Sequence, residues 1–140
     1  MNTLATSFFA SRVTGGAATA TAALRVFAGV FFVLFGLLKF LAHELELSEF
    51  VKYGFPDSSL IVYLVGLLEV GAGLMLIVGI GTRLAAAGLA IVMAGAILTA
   101  GLKVGGWFHL GVAPTMLAVQ LYLLWAGSGR VAFDRKLAAA

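Results

Sequence analysis

Apolar residues gather along this 140-residue chain into four long runs, at about 22–42, 60–80, 84–102 and 110–127. Each is close to the ~20 residues that a helix rising about 1.5 Å per residue needs to cross a hydrocarbon layer. The pattern predicts an all-α fold, a transmembrane four-helix bundle. The first run carries only Arg25 near its start and Lys39 near its end, the second only Glu69, and the third no charge. The fourth is shorter and holds Pro114, tolerated near a helix start, and Gln120. Gly79, Gly81 and Thr82-Arg83 leave room only for a tight turn, so the second and third runs should form an antiparallel hairpin.

The polar stretches predict the remainder. His43 to Ser59 holds His43, Glu44, Glu46, Glu49, Lys52 and Asp57 around Tyr53-Gly54-Phe55-Pro56, and is expected as a polar loop. Residues 1–21 are expected as a flexible arm, and 130–140 as a basic tail too polar to insert. The transmembrane domain is accordingly expected over 22–129.

Composition decides the solvent. The chain is 62% hydrophobic and 11% charged, with a mean hydropathy of +1.11; soluble domains average about 25% charged residues. A net charge of +3 raises the question of nucleic acid, but the basic residues are scattered singly with no aromatic-interleaved cluster. They report topology instead. Four spans put both termini on one side with Arg12, Arg25, Arg83, Arg130, Arg135 and Lys136, against Lys39, Lys52 and Lys103 on the other. The positive-inside rule then places both termini in the cytoplasm. The start has no basic region of the kind that opens a cleaved signal peptide, and the chain has no cysteine for a disulfide, thiolate metal site or dithiol exchange.

Glycines recur seven apart, Gly29 with Gly36 and Gly66 with Gly73, each pair on one helix face. In lipid such faces are packing seams. Glu69 falls near the bilayer midplane and should face the bundle interior, as a structural tie or as a proton- or ligand-exchanging acid. Lys39 can reach down to it or snorkel up toward headgroups and Glu44 or Glu46, and depth slightly favours the upward course. Gln120 and Tyr122 offer hydrogen bonds from a facing helix. His43 and His109 share one interface, but no i,i+4 ligand pair supports a metal site. Arg25 and Arg83 are read most simply as headgroup anchors; turned inward, Arg25 would meet the negative end of the helix closing at Gly79 to Gly81. Trp107, Phe108, Tyr122 and Trp125 suit an interfacial belt, with quinone stacking an alternative.

As an ordered set, Arg25, Gly29, Phe32, Gly36 and Lys39, then Gly54 and Pro56, then Glu69-Val70-Gly71-Ala72-Gly73, Leu76, Gly79 and Thr82-Arg83, with Met93, Ala96, Gly127-Ser128-Gly129 and Asp134, resemble the DoxX family. The resemblance covers roughly residues 22–135. It implies a small four-helix protein of the bacterial inner membrane, in some members associated with a thiosulfate:quinone oxidoreductase and in others with redox-defence complexes. Glu69, Lys39, Arg25 and Arg83 match the family's polar positions; the absence of cysteine puts thiol chemistry in doubt. Two functions follow as expectations. One is an accessory or quinone-linked subunit, with Glu69, Lys39, Gln120 and Arg25 as the candidate quinone site and Glu69 exchanging protons. The chain shows no flavin, haem or cluster signature, so a partner would donate the electrons. The other is a non-catalytic scaffold or anchor that recruits a redox enzyme through the acidic 44–49 segment or the basic tail. A homo-oligomer is compatible with either, and a transporter built from four short helices would require one.

Overall fold

The computed structural model describes residues 3–139, and among them the chain is helical throughout, without strands. In chain order the helices are α1 (Thr3–Phe9), α2 (Gly15–Leu41), α3 (His43–Lys52), α4 (Ser59–Val78), α5 (Thr82–Ala96), α6 (Ala113–Ala126) and α7 (Phe133–Ala139). Wider π-helical turns extend α5 through Ile97–Gly101 and precede α6 at Phe108–Val112. Four helical stretches are long and apolar enough to span a membrane: Gly15–Leu41, Ser59–Val78, Thr82–Gly101 and Phe108–Ala126.

These four spans form a bundle. α2 packs along α4, α4 joins α5, α5 packs along α6, and α6 meets α2 over a shorter stretch. Ala28, Phe32, Leu76, Ala86, Leu89 and Leu123 lie at the centre with no exposed surface, while Leu34, Leu64, Leu67, Ile91 and Leu98 face outward. Leucines on the outside of a bundle are stable only against lipid.

The glycine seams of α2 and α4 mate with each other. A methyl group on Gly29 would lie 2.7 Å from Gly73 O, and one on Gly36 would lie 2.9 Å from the Cβ of Glu69. The absent side chains therefore let the two backbones approach and set Glu69 directly against α2.

Three segments differ from expectation. His43 to Lys52 is a helix, α3, broken from α2 at Ala42 (φ −120°, ψ 42°), and only the residues after it form a turn. Glu44 and Glu46 occupy its first turn, where the helix dipole favours acids, and Phe50 is buried beneath it. Within the described residues the arm and tail also carry helices, α1 and α7, while residues 1, 2 and 140 of the expected arm and tail lie outside the described residues. α2 begins at Gly15, and α1 packs against α7 at one end of the bundle, so both termini lie at the end opposite α3.

Candidate functional site

Lys39 sits two residues before the end of α2, on the face that meets α4. Its side chain turns inward. The ammonium Nζ lies 2.8 Å from Oε2 of Glu69 and 3.6 Å from Oε2 of Glu46, which descends from α3. Lys39 is 7% exposed and Glu69 4%. The upward, snorkelling course is thus replaced by a buried ion pair, because Gly36 and Gly66 bring α4 within reach and α3 covers the lysine from above. A third, longer contact runs from Nζ to Phe35 O (3.5 Å), and the ring of Phe50 lies 5.9 Å from the ammonium.

Glu69 stands ten residues into α4, about 15 Å below its first residue. An ionised carboxylate at that depth requires a partner, and Lys39 supplies it. The ammonium approaches off the hydrogen-bonding direction, so Oε2 is held by charge and has no aligned donor. It keeps lone-pair capacity for a proton.

Aromatic and polar groups of α3 and of the turn between α5 and α6 surround this end. Tyr53 lies edge-on to His109 with ring centres 5.0 Å apart, and its hydroxyl is 3.4 Å from Oε2 of Glu49. Burial, reinforced by the charges of Glu49 and Glu46, pushes the Tyr53 phenol up to about 12. His43 donates from Nδ1 to Lys39 O at 3.0 Å, which leaves Nε2 to accept from Ser59 Oγ at 2.9 Å. Its ring stacks on Tyr63. His109 contacts Gly105 O through Nδ1 at 3.2 Å. Both histidines are engaged by protein groups, and among the described residues no three His, Asp or Glu side chains gather as metal ligands.

Arg25 lies at the opposite end, far from the Lys39–Glu69 pair. It is 1% exposed, so it is no headgroup anchor. Its guanidinium donates to Leu76 O at 2.7 Å, Ile77 O at 3.4 Å and Val131 O at 3.0 Å, closing the C-terminus of α4 and holding the chain that leads into α7. Gly79, in the left-handed conformation (φ +75°), leaves the space the guanidinium occupies. Arg83 acts alike, donating to Leu124 O at 2.9 Å and Trp125 O at 3.0 Å on α6 and to Phe8 O at 2.7 Å on α1. Asp134 completes the closure by accepting from the backbone N–H groups of Gly81 (2.7 Å) and Thr82 (2.9 Å). Sequence reasoning missed this role for Asp134, whose signals were its place in the set that resembles the DoxX family and an acid in an otherwise basic tail.

Gln120 is fully buried in α6 with neither Oε1 nor Nε2 hydrogen-bonded. Tyr122 pairs with Thr21 at 2.7 Å toward the termini. Of the four residues expected as one site, Lys39 and Glu69 are in contact and Arg25 is remote.

With this geometry established, sequence comparison identifies the lineage. The DoxX family model matches residues 20–102, more than half of the chain. The chain belongs to the DoxX family. Among its DoxX-type relatives, the uncharacterized membrane protein Rv3486 of Mycobacterium tuberculosis is 32% identical over 128 residues, covering 81% of this chain and 78% of the relative. A Bacillus subtilis protein named "Putative oxidoreductase CatD" is 30% identical over 114 residues, covering 81% of this chain and 84% of the relative. No solved structure matches. The DoxX match spans α2 from residue 20 onward, α3, α4 and the whole third span, and so includes Arg25, Lys39, Glu46, Glu69 and Arg83. The chain is a multi-pass protein of the bacterial inner membrane.

Proposed function

We propose that this DoxX protein is the membrane subunit of a quinone-linked oxidoreductase system, with Lys39 and Glu69 as its proton-exchanging centre. The carrying observation is the 2.8 Å pair of an ammonium and a carboxylate buried within the spans, where ionisable groups are costly and mark proton or ligand sites. The name of the Bacillus subtilis relative supports redox work.

A quinone finds fitting residues on the shorter contact between α2 and α6. Phe27, Phe31, Trp107 and Met116 line a lipid-side groove of about 470 Å³ there. Gln120 does not line the groove; it lies one helical turn from Met116, fully buried with an unpartnered amide, and would donate to or accept from a carbonyl-bearing ring only where the ring entered past Met116. A bound quinone would supply two-electron chemistry coupled to two protons. The aromatic walls would orient the ring and exclude water, Gln120 would hold a ring oxygen, and Glu69 would take up or release a proton at Oε2 with Lys39 balancing its charge. Electrons would come from a soluble partner, consistent with a chain that has no cysteine.

The test is purification in mild detergent followed by quinone extraction and identification of co-purifying proteins, for wild type, Glu69→Gln and Gln120→Leu. Quinone is expected with wild type and is expected to be depleted in Gln120→Leu. If no variant carries quinone while one soluble partner accompanies all three, the protein is a non-catalytic anchor and the proposal fails.

A further inference from the structure

Lys39 lies between two carboxylates, one deep in the bundle and one at its edge. Glu69 is buried, whereas the Glu46 side chain is 23% exposed on α3. From these distances we infer that Glu69, Lys39 and Glu46 form a proton path from the interior of the membrane to the face on which α3 lies. The inference deepens the proton-exchanging reading of Glu69 and rests on it.

The charge balance favours exchange over a static tie. One ammonium between two ionised carboxylates leaves the cluster at −1, an unfavourable charge in a low-dielectric interior. Binding one proton restores neutrality. Two carboxylates then share a single exchangeable proton across the ammonium. Other polar groups around the cluster do not replace it. On α3, His43 is committed to Lys39 O and Ser59, and Glu49 pairs with Lys52 and Tyr53. On α4 the only acid or base facing the lysine is Glu69. α6 presents Tyr122, which is bonded to Thr21 toward the other end.

The transfer balances without a co-reactant. With Glu69 protonated, Lys39 breaks an N–H bond and passes its proton to Glu46, forming an O–H bond. The Glu69 acid then reprotonates the lysine amine. The cluster ends with Glu69 ionised, Lys39 cationic and Glu46 protonated, and Glu46 discharges to water. Uptake runs the same steps in reverse. The 3.6 Å gap to Glu46 is the longer link, so a small movement of α3 would open or close the path.

Infrared difference spectroscopy on the full chain in liposomes tests this without any quinone. The carboxylic C=O band of Glu69 is assigned by subtracting Glu69→Gln, and its shift is followed after exchange of H2O for D2O. Wild type and Glu44→Gln, an exposed acid on the same helix, should exchange at the same rate. Glu46→Gln should slow exchange by on the order of 10²-fold, the scale of one proton-transferring side chain. Lys39→Arg keeps the positive charge but cannot give up its proton, so it should slow exchange comparably. Glu46→Asp should restore it in part. Wild-type rates in both Glu46→Gln and Lys39→Arg would overturn the path while leaving Glu69 a protonatable acid. Absence of any Glu69 band between acid and alkaline pH would overturn the proton-exchanging reading itself.

Discussion

Gly71 and Gly73 lie two residues apart on α4, and adding one methyl group to each should have opposite effects. At Gly73 the methyl would sit 2.8 Å from Gly29 O, 2.9 Å from Val33 Cγ2 and 3.0 Å from Val33 N. Two of those atoms are backbone of α2 and cannot swing aside, so the helices must separate by several tenths of an ångström. Inserting a methylene into a packed contact costs about 1–3 kcal/mol. At Gly71 nothing lies within 4 Å and the residue is exposed. Both substitutions gain the same helix propensity, about 0.8–1.0 kcal/mol, so that contribution cancels in their difference. Gly73→Ala should therefore be less stable than Gly71→Ala by about 1–3 kcal/mol. The assay is reversible unfolding in mixed detergent micelles, with Gly71→Ala at or above wild type. If Gly73→Ala proved as stable as Gly71→Ala, the mated seams would not set the spacing of α2 and α4, and the close approach at Glu69 would need another cause.

Lys39→Met strands a buried carboxylate and should lower stability by roughly 3–5 kcal/mol, most of it recovered in Lys39→Met/Glu69→Gln; a double-mutant unfolding cycle measures the difference. Asp134→Ala removes the acceptor for two backbone N–H groups at the start of α5 and should cost about 0.5–2 kcal/mol, with faster hydrogen exchange at Gly81 and Thr82. The Tyr53 phenol, raised to about 12 from an ordinary value of 10.0, stays protonated in the folded chain while it ionises in the unfolded one. Its contribution to stability is therefore full below about pH 10 and lost as pH climbs toward 12. Absorbance titration of wild type minus Tyr53→Phe should place the phenolate step near 12, and a step near 10 would contradict the packing around Glu49. Orientation is tested by single cysteines in this cysteine-free chain: Ser48→Cys should react with an impermeant maleimide in intact cells and Lys136→Cys only after permeabilisation, the reverse result inverting the topology.

The spans were legible because lipid demands long apolar runs, and the run from Leu60 meets that demand whatever it packs against. The glycine spacing likewise identified the faces that pair. The path of Lys39 was harder to read. Its depth in α2 permitted either direction, and the choice depended on α3, a ten-residue helix whose mixture of acids and leucines resembles a loop. Arg25 and Arg83 stand where headgroup anchors stand in sequence. Only folding shows that each faces helix ends contributed by residues 51–106 positions away, or 41–76 for Arg83. Gln120 announced a polar atom in a span but not that it would be left without a partner.

The two buried arginines also impose an order in time. Arg25 enters the membrane with the first span, yet one of its acceptors, Val131 O, lies 106 residues later, beyond the fourth span. Until those residues emerge and fold back, the guanidinium has an unfilled hydrogen-bonding position in a dry interior. The first span thus carries a receptor for the segment that follows the fourth. A chain cut after Ala126 would retain all four spans and still leave that position unfilled. Emergence of the segment beyond the fourth span is built into the stability of the bundle.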